Sequence, residues 1–146
     1  MEVGQMIVVE HEKVEWEEWR PGVRSRAWAT ATSGAKQVRI AEQILEPGEQ
    51  APLHWHYFEE NITVMRGKAR FHVDGDTREL GPGNTVIVPS TAVHGFVSVG
   101  EEPLHIIASM GWPVNEITYV DDPYAIYRAG EALDSGARRR LQPEAS

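Results

Sequence analysis

The sequence predicts an all-β chain folded as an antiparallel jelly roll or small barrel, on three observations. Short runs of alternating apolar and polar residues follow one another through the middle of the chain. Turn signals, "EPGE", "DGD", "GPG" and "GEE", separate them at the regular spacing of such a fold. No long amphipathic helix pattern interrupts the series. A length of 146 residues favours one domain, and 41% hydrophobic residues suffice to fill its core.

Val14 to Arg26, "VEWEEWRPGVRSR", joins two tryptophans to dense charge and reads as an arm with an extra strand. A strand follows from Arg26 to Thr32. Gln37 to Leu45 alternates Val38 and Ile40 with polar neighbours and stops at a proline–glycine turn. Asn61 to Arg66 alternates Ile62 and Val64, with Met65 behind. Lys68 to Val73 sets Ala69, Phe71 and Val73 on one face, with Arg70 and His72 on the other. "DGD", Asp74 to Asp76, is a strong hairpin turn, and Thr77 to Leu80 is the return strand. Thr85 to Val88 is β-branched throughout. Val93 to Val99, Leu104 to Met110 and Asn115 to Val120 complete about eight or nine strands. After Asp122, "DPYAIYRAGEALDSG" has an Asp cap before Pro123, which predicts a short helix; beyond Gly136 the expectation is disorder. The chain then divides into an N-terminal arm with lead-in strands (1–36), a barrel (37–120) and a partly disordered C-terminal segment (121–146).

The net charge of -8 argues against a nucleic-acid partner, because phosphates require a clustered basic face. The one basic run, Arg138 to Arg140, lies beside Gly, Pro and Ser and reads as a solvated tail. The chain has no cysteine, which excludes disulfides and thiolate metal sites. Any metal must be held by imidazole and carboxylate. The N-terminal "MEVGQMIVVEHEK" has an acid at position two and a short apolar run, so it does not read as a signal peptide. No apolar stretch approaches the roughly 20 residues of a membrane helix. A soluble, cytoplasmic protein is expected.

One segment, "GEQAPLHWHYFEENITVMRG", Gly48 to Gly67, carries the chemistry. On an extended strand His54 and His56 share one face and Trp55 takes the other. Glu60 has the same parity if the chain stays extended through Tyr57, Phe58 and Glu59, and Glu59 then faces away. A second segment, "GNTVIVPSTAVHGF", brings His94 to the start of a strand. Taken singly, each of these is as readily a polar strand-face or turn residue. Together, three imidazoles and a carboxylate around one point suit Fe, Mn, Zn, Ni or Cu rather than Mg or Ca. Four such ligands leave positions open on an octahedral ion, the pattern of a working site rather than a closed structural one.

The two segments resemble the motifs of the cupin superfamily, in its small single-domain form (RmlC-like jelly roll, cupin_2 type). Its first motif, G-x5-H-x-H-x3-E-x6-G, is matched at every fixed position by Gly48, His54, His56, Glu60 and Gly67. Its second, G-x5-P-x-G-x2-H-x3-N, is matched by Gly83, Pro89 and His94, while Thr91 replaces the inner glycine and Ser98 the asparagine. The resemblance spans about Gln37 to Met110 and implies a double-stranded β-helix barrel with a metal held by His54, His56, Glu60 and His94. The metals expected are Fe(II), Mn(II), Ni(II) or Zn(II), with no organic cofactor.

Fold alone does not give function. The first expectation is a metalloenzyme acting on a small oxygen-rich organic molecule. Dioxygenase-like oxygenation is the first choice, with isomerase, lyase or cyclase chemistry second. The alternative is a non-catalytic cupin that binds or senses a sugar or sugar acid. No separate catalytic base is identified, and Glu59 qualifies only if a bulge turns it inward. Arg39, Gln43, Met65, Phe96 and Trp112 are candidate pocket walls, and Tyr57 and Phe58 candidates for the rim. His72 reads as solvent-facing, His105 as near the barrel, and His11 has no context. The resemblance also implies a homodimer, and the tryptophans between Val14 and Trp28 offer apolar area for a partner strand.

Overall fold

The computed structural model describes residues 4–121, 125–129 and 138–140. Two antiparallel sheets face each other. The first runs in the order β1 (Glu17–Arg20), β2 (Val23–Ala29), β3 (Arg39–Leu45), β10 (Leu104–Met110), β5 (Glu60–Arg66) and β8 (Thr85–Val88). The second runs β13 (Arg138–Arg140), β12 (Ala125–Ala129), β11 (Asn115–Tyr119), β4 (Gln50–Trp55), β9 (His94–Ser98), β6 (Ala69–Val73) and β7 (Asp76–Leu80). Most neighbours are distant in sequence, as β3 and β10 are, so the sheets are closed by non-local pairing into the expected jelly roll. The alternation read from the sequence sets the faces. In β10, Leu104, Ile106, Ala108 and Met110 are buried while His105, Ile107 and Ser109 are half-buried on the outer side. Leu45, Ile62, Leu104 and Ile106 are fully enclosed between the sheets.

Two expectations change at the C-terminus. Residues 125–129 form strand β12, not a helix, pairing Asn115 to Thr118 of β11 with Ala129 to Ile126. The edge of β11 has backbone donors and acceptors to satisfy, and that pairing outweighs the local cap signal. Arg138–Arg140, expected in a disordered tail, pairs with β12 as β13. The rest of the expected helix and tail lies outside the described residues.

The tryptophans of the arm are covered within the chain. Trp19 is buried in the core. Arg24 and Arg26 lie over the Trp16 ring at 4.9 and 4.4 Å, and His11 stacks on Trp28 at 4.0 Å. The apolar area that argued for a partner strand is therefore already in use.

Beneath that arm, on the outer face of the first sheet, Glu42 is 4% exposed. Arg26 Nε donates to its Oε1, as does Trp28 Nε1 at 3.1 Å, and His105 Nε2 lies 2.9 Å from Oε2. This accounts for His105, which serves the outer face and not the barrel interior. Burial alone raises the Glu42 pKa; hydrogen bonds from Arg26, Trp28 and His105 outweigh it and leave the pKa below its usual 4.5. A depressed folded-state pKa contributes stability that is present above the unfolded value and lost as pH falls through the folded one. Glu42→Gln is therefore expected to cost about 1–3 kcal/mol at pH 7. The difference from wild type should close below about pH 4, as read by urea melts across pH. A constant difference down to pH 3 would refute this account.

Candidate metal centre

Four side chains converge inside the barrel near one end. His54 is next to last in β4, His56 follows the strand, His94 opens β9 and Glu60 opens β5. All four are buried, at 6%, 3%, 1% and 6% exposure respectively. Their ligand atoms lie within 4.8 Å of one another. His54 faces His94 directly across the β4–β9 ladder, which places the two sequence segments side by side.

The convergence comes about differently from the expected way. The chain does not stay extended from His54 to Glu60. It leaves β4 after Trp55, bends at Tyr57 and Phe58, and enters the other sheet at Glu60. Glu60 thus reaches the histidines from across the barrel. Glu59 is exposed, as expected, and Trp55 packs edge-on against Tyr57 at 4.9 Å, away from the site.

Backbone carbonyls set the state of every ring. The Nδ1–H of His54 donates to Pro52 O at 2.7 Å, that of His56 to Phe58 O at 3.0 Å and that of His94 to Ala92 O at 2.8 Å. A carbonyl only accepts, so each Nδ1 carries a proton and each Nε2 is turned toward the centre. This is the orientation that supporting hydrogen bonds impose on metal-bound imidazole. Phe58 also stacks flat on the His56 ring, 4.2 Å away and tilted by 7°. It packs against the His56 ring and does not stand at the rim.

Electrostatics fit the same use. Burial pulls the His54 pKa down to about 3, with the charge of His94 as the next cause, so His54 is neutral near pH 7. Burial pushes Glu60 upward, but its contacts with His56 and His94 overcome this and keep it ionised. Glu60 Oε1 lies 3.2 Å from His56 Nε2 and 3.0 Å from His94 Nε2. Those approaches call for positive charge between the rings and the carboxylate, from protons on Nε2 or from a bound cation. One metal ion supplies that charge, so the donor set fits a divalent transition ion.

Thr91 stands where the family pattern has glycine, and it adopts φ +68°, the left-handed conformation that glycine favours. The turn geometry is kept against a cost of about 1–2 kcal/mol for a side chain there. Gly67 and Gly83 have φ of +81° and +91°, at the turns where the motifs put them. Ser98, in place of the asparagine, is fully buried with an unpartnered Oγ.

A cavity of about 410 Å³, within the range of small-molecule sites, opens above the centre and reaches His54, His56 and Glu60. Arg39, Gln43 and Phe96 line it as expected. Met65 and Trp112 do not: they are 49% and 56% exposed, Met65 because it falls on the outward parity of β5 and Trp112 because it sits in the bend between β10 and β11. Tyr57 is 71% exposed and His72 bonds Thr77 on the outside. The sequence reading missed Ser25 of β2 and Asn115 and Tyr119 of β11, which complete the wall. Alternation from Ile117 points Asn115 and Tyr119 inward and is the signal that locates them.

The comparisons agree with this architecture. Residues 41–110 match the family model described as a cupin domain, Cupin_2. This barrel is a small cupin domain. Among curated relatives, "Polyketide synthase CurC" of Streptomyces cyaneus is 29% identical over 101 residues, 68% of this chain and 66% of that protein. "Auxin-binding protein 1" of Arabidopsis thaliana is 26% identical over 114 residues, 70% of this chain and 57% of that one. The chain thus spans less than two thirds of the length of these relatives. Among solved structures, the polyketide cyclase RemF from Streptomyces resistomycificus superposes with a TM-score of 0.64 at 25% identity, covering 73% of this chain and 79% of its own.

Proposed function

We propose that the chain is a metal-dependent enzyme that takes up a small, oxygen-rich organic molecule and promotes its enolisation and ring closure. The observation that carries this reading is the buried set His54, His56, Glu60 and His94, with each imidazole held to present Nε2, at the base of an open cavity. A divalent ion, when bound, supplies Lewis-acid polarisation of a substrate carbonyl and a template for its oxygens. The four ligands hold the ion, Phe96, Ile106 and Met110 exclude water, and the polar walls orient the substrate. The likeness to the polyketide cyclase RemF supports a cyclase over the oxygenation favoured from sequence alone, and the likeness to the polyketide synthase CurC supports a polyketide-type substrate. Oxygenation is the second reading, favoured by a three-histidine, one-carboxylate centre with open positions.

The test is turnover of oxygen-rich carbonyl compounds, poly-β-ketones among them, by protein reconstituted with each metal in turn. The expected product is isomeric with its substrate or short of one water, with no uptake of dioxygen. Stoichiometric dioxygen consumption would transfer the assignment to the oxygenases. Failure of every metal to bind would overturn both.

A homodimer in the cytoplasm is part of the same proposal. It is supported by the exposed apolar run Met6, Ile7 and Val8, which precedes the edge strand β1. A solution mass of one chain would remove the dimer.

A further inference from the structure

Arg39 is the polar group in the cavity that the metal reading leaves unused. It is 3% exposed, opens β3 and lines the cavity wall. Its Nε and Nη1 have no hydrogen-bond partner, and among the described residues it makes no ion pair within 4 Å. Burial lowers its pKa to about 10, with the charges of Glu17 and Glu60 opposing, so it remains a cation near pH 7. A buried cation with idle donors is expensive for a fold, and an apolar residue of similar volume is commonly as stable or more so.

Its position gives the idle charge a direction. Arg39 pairs with Met110, and Met110 pairs with Glu60, across β3, β10 and β5. Residues opposite one another in antiparallel strands share a face, so the guanidinium and the ligand carboxylate stand in one row, about 10 Å apart at Cα, two strand spacings. Met110 lies between them, buried and flexible enough to follow a bound carbon chain. Once a divalent ion is held beside Glu60, its two charges and that of Arg39 exceed the two carboxylates, Glu60 and Glu17, that act on Arg39, and the row keeps excess positive charge. A carboxylate compensates such charge through strong, charge-assisted hydrogen bonds.

We propose that Arg39 anchors the substrate by a carboxylate, so that the molecule is a small organic acid lying across Met110 with its other oxygen function at the metal. This rests on the metal reading for the far end of the molecule and on Arg39 alone for the near end. Guanidinium against carboxylate is a strong, oriented pair, whereas a phosphate dianion would call for more donors than this wall offers.

The experiment separates the two ends. Metal-free protein is titrated calorimetrically with benzoate and with benzamide, in the wild type, R39Q, R39K and R39M. The wild type is expected to prefer benzoate by about tenfold or more, the range for a hydrogen-bonded charge. R39Q and R39M should lose that preference with benzamide affinity unchanged, and R39K should keep part of it. Zinc affinity should stay within about twofold of wild type in all three, since Arg39 is no ligand. Zinc-loaded wild type should bind glutarate tighter than butyrate, because glutarate engages both ends.

Equal benzoate affinity in wild type and R39Q would overturn the proposal, as would no benzoate binding to the wild type. So would a marked fall in Tm for R39M, which is expected to melt at or above the wild-type temperature and which would instead mark Arg39 as structural. If zinc fails to bind while benzoate still discriminates, the metal reading falls and the anchor stands.

Discussion

Replacing His94 with alanine is expected to lower transition-metal affinity by at least about a hundredfold, more than the loss of a residue that merely supports a ligand. His94 is 1% exposed, its Nδ1 is held by Ala92 O and its Nε2 meets Glu60 Oε1, so the ring is fixed on the centre. Two measurements read the effect. Elemental analysis should find metal in the wild type and almost none in the variant. Added zinc at a hundred times its Kd should stabilise the wild type by about 2.7 kcal/mol, a rise of roughly 10 °C in Tm. His94→Ala should show no such rise. Glu60→Gln is the companion variant. It keeps the shape and removes the charge, leaving the imidazoles to hold the ion alone, and is expected to fall between the two. Equal metal content in wild type and His94→Ala would sink the ligand assignment.

The same centre shows what a sequence makes legible. The face shared by His54 and His56 follows from the two-residue period of a strand, and the motif spacing named Glu60 and His94 as their partners. The route to Glu60 was not legible, because parity along one strand cannot say where the chain crosses to the other sheet. It crosses between Tyr57 and Glu60, and the crossing brings the carboxylate to the imidazoles face to face. Arg39 illustrates a different limit. Its inward parity could be read from Ala41, but an arginine at the start of a strand is usually a surface residue. Only the neighbouring strands show that its guanidinium is enclosed and idle. Strand β4 was hidden as an element because Pro52 and the ligands mask its alternation. β12 was hidden because a local helix signal cannot weigh the hydrogen bonds that β11 offers.

Gly95→Ala is expected to destabilise the protein by about 2–3 kcal/mol, the range for an atom forced into a packed interior, and to damage the metal centre with it. Gly95 follows His94 in β9 and is pressed against β4. A Cβ there would stand 2.7 Å from Ala51 O, 3.1 Å from Leu53 N and 3.1 Å from the Pro52 carbonyl carbon. All three are backbone atoms, so relief requires β4 to move off β9. That strand carries His54 next to its last residue, and Pro52 O is the acceptor that orients the His54 ring. Gly67→Ala provides the control. Its Cβ would meet Pro103 O at 2.7 Å and Leu104 Cα at 2.9 Å, also backbone, and its φ of +81° adds strain. Gly67, however, lies past the far end of β5 from Glu60. Both variants should unfold at lower urea, measured as a drop in midpoint at constant slope. Metal affinity, titrated on the folded protein, should fall at least about tenfold for Gly95→Ala and hold for Gly67→Ala. Equal metal affinity in the two would mean that the β4–β9 contact does not position His54, and that the centre depends on the imidazoles alone.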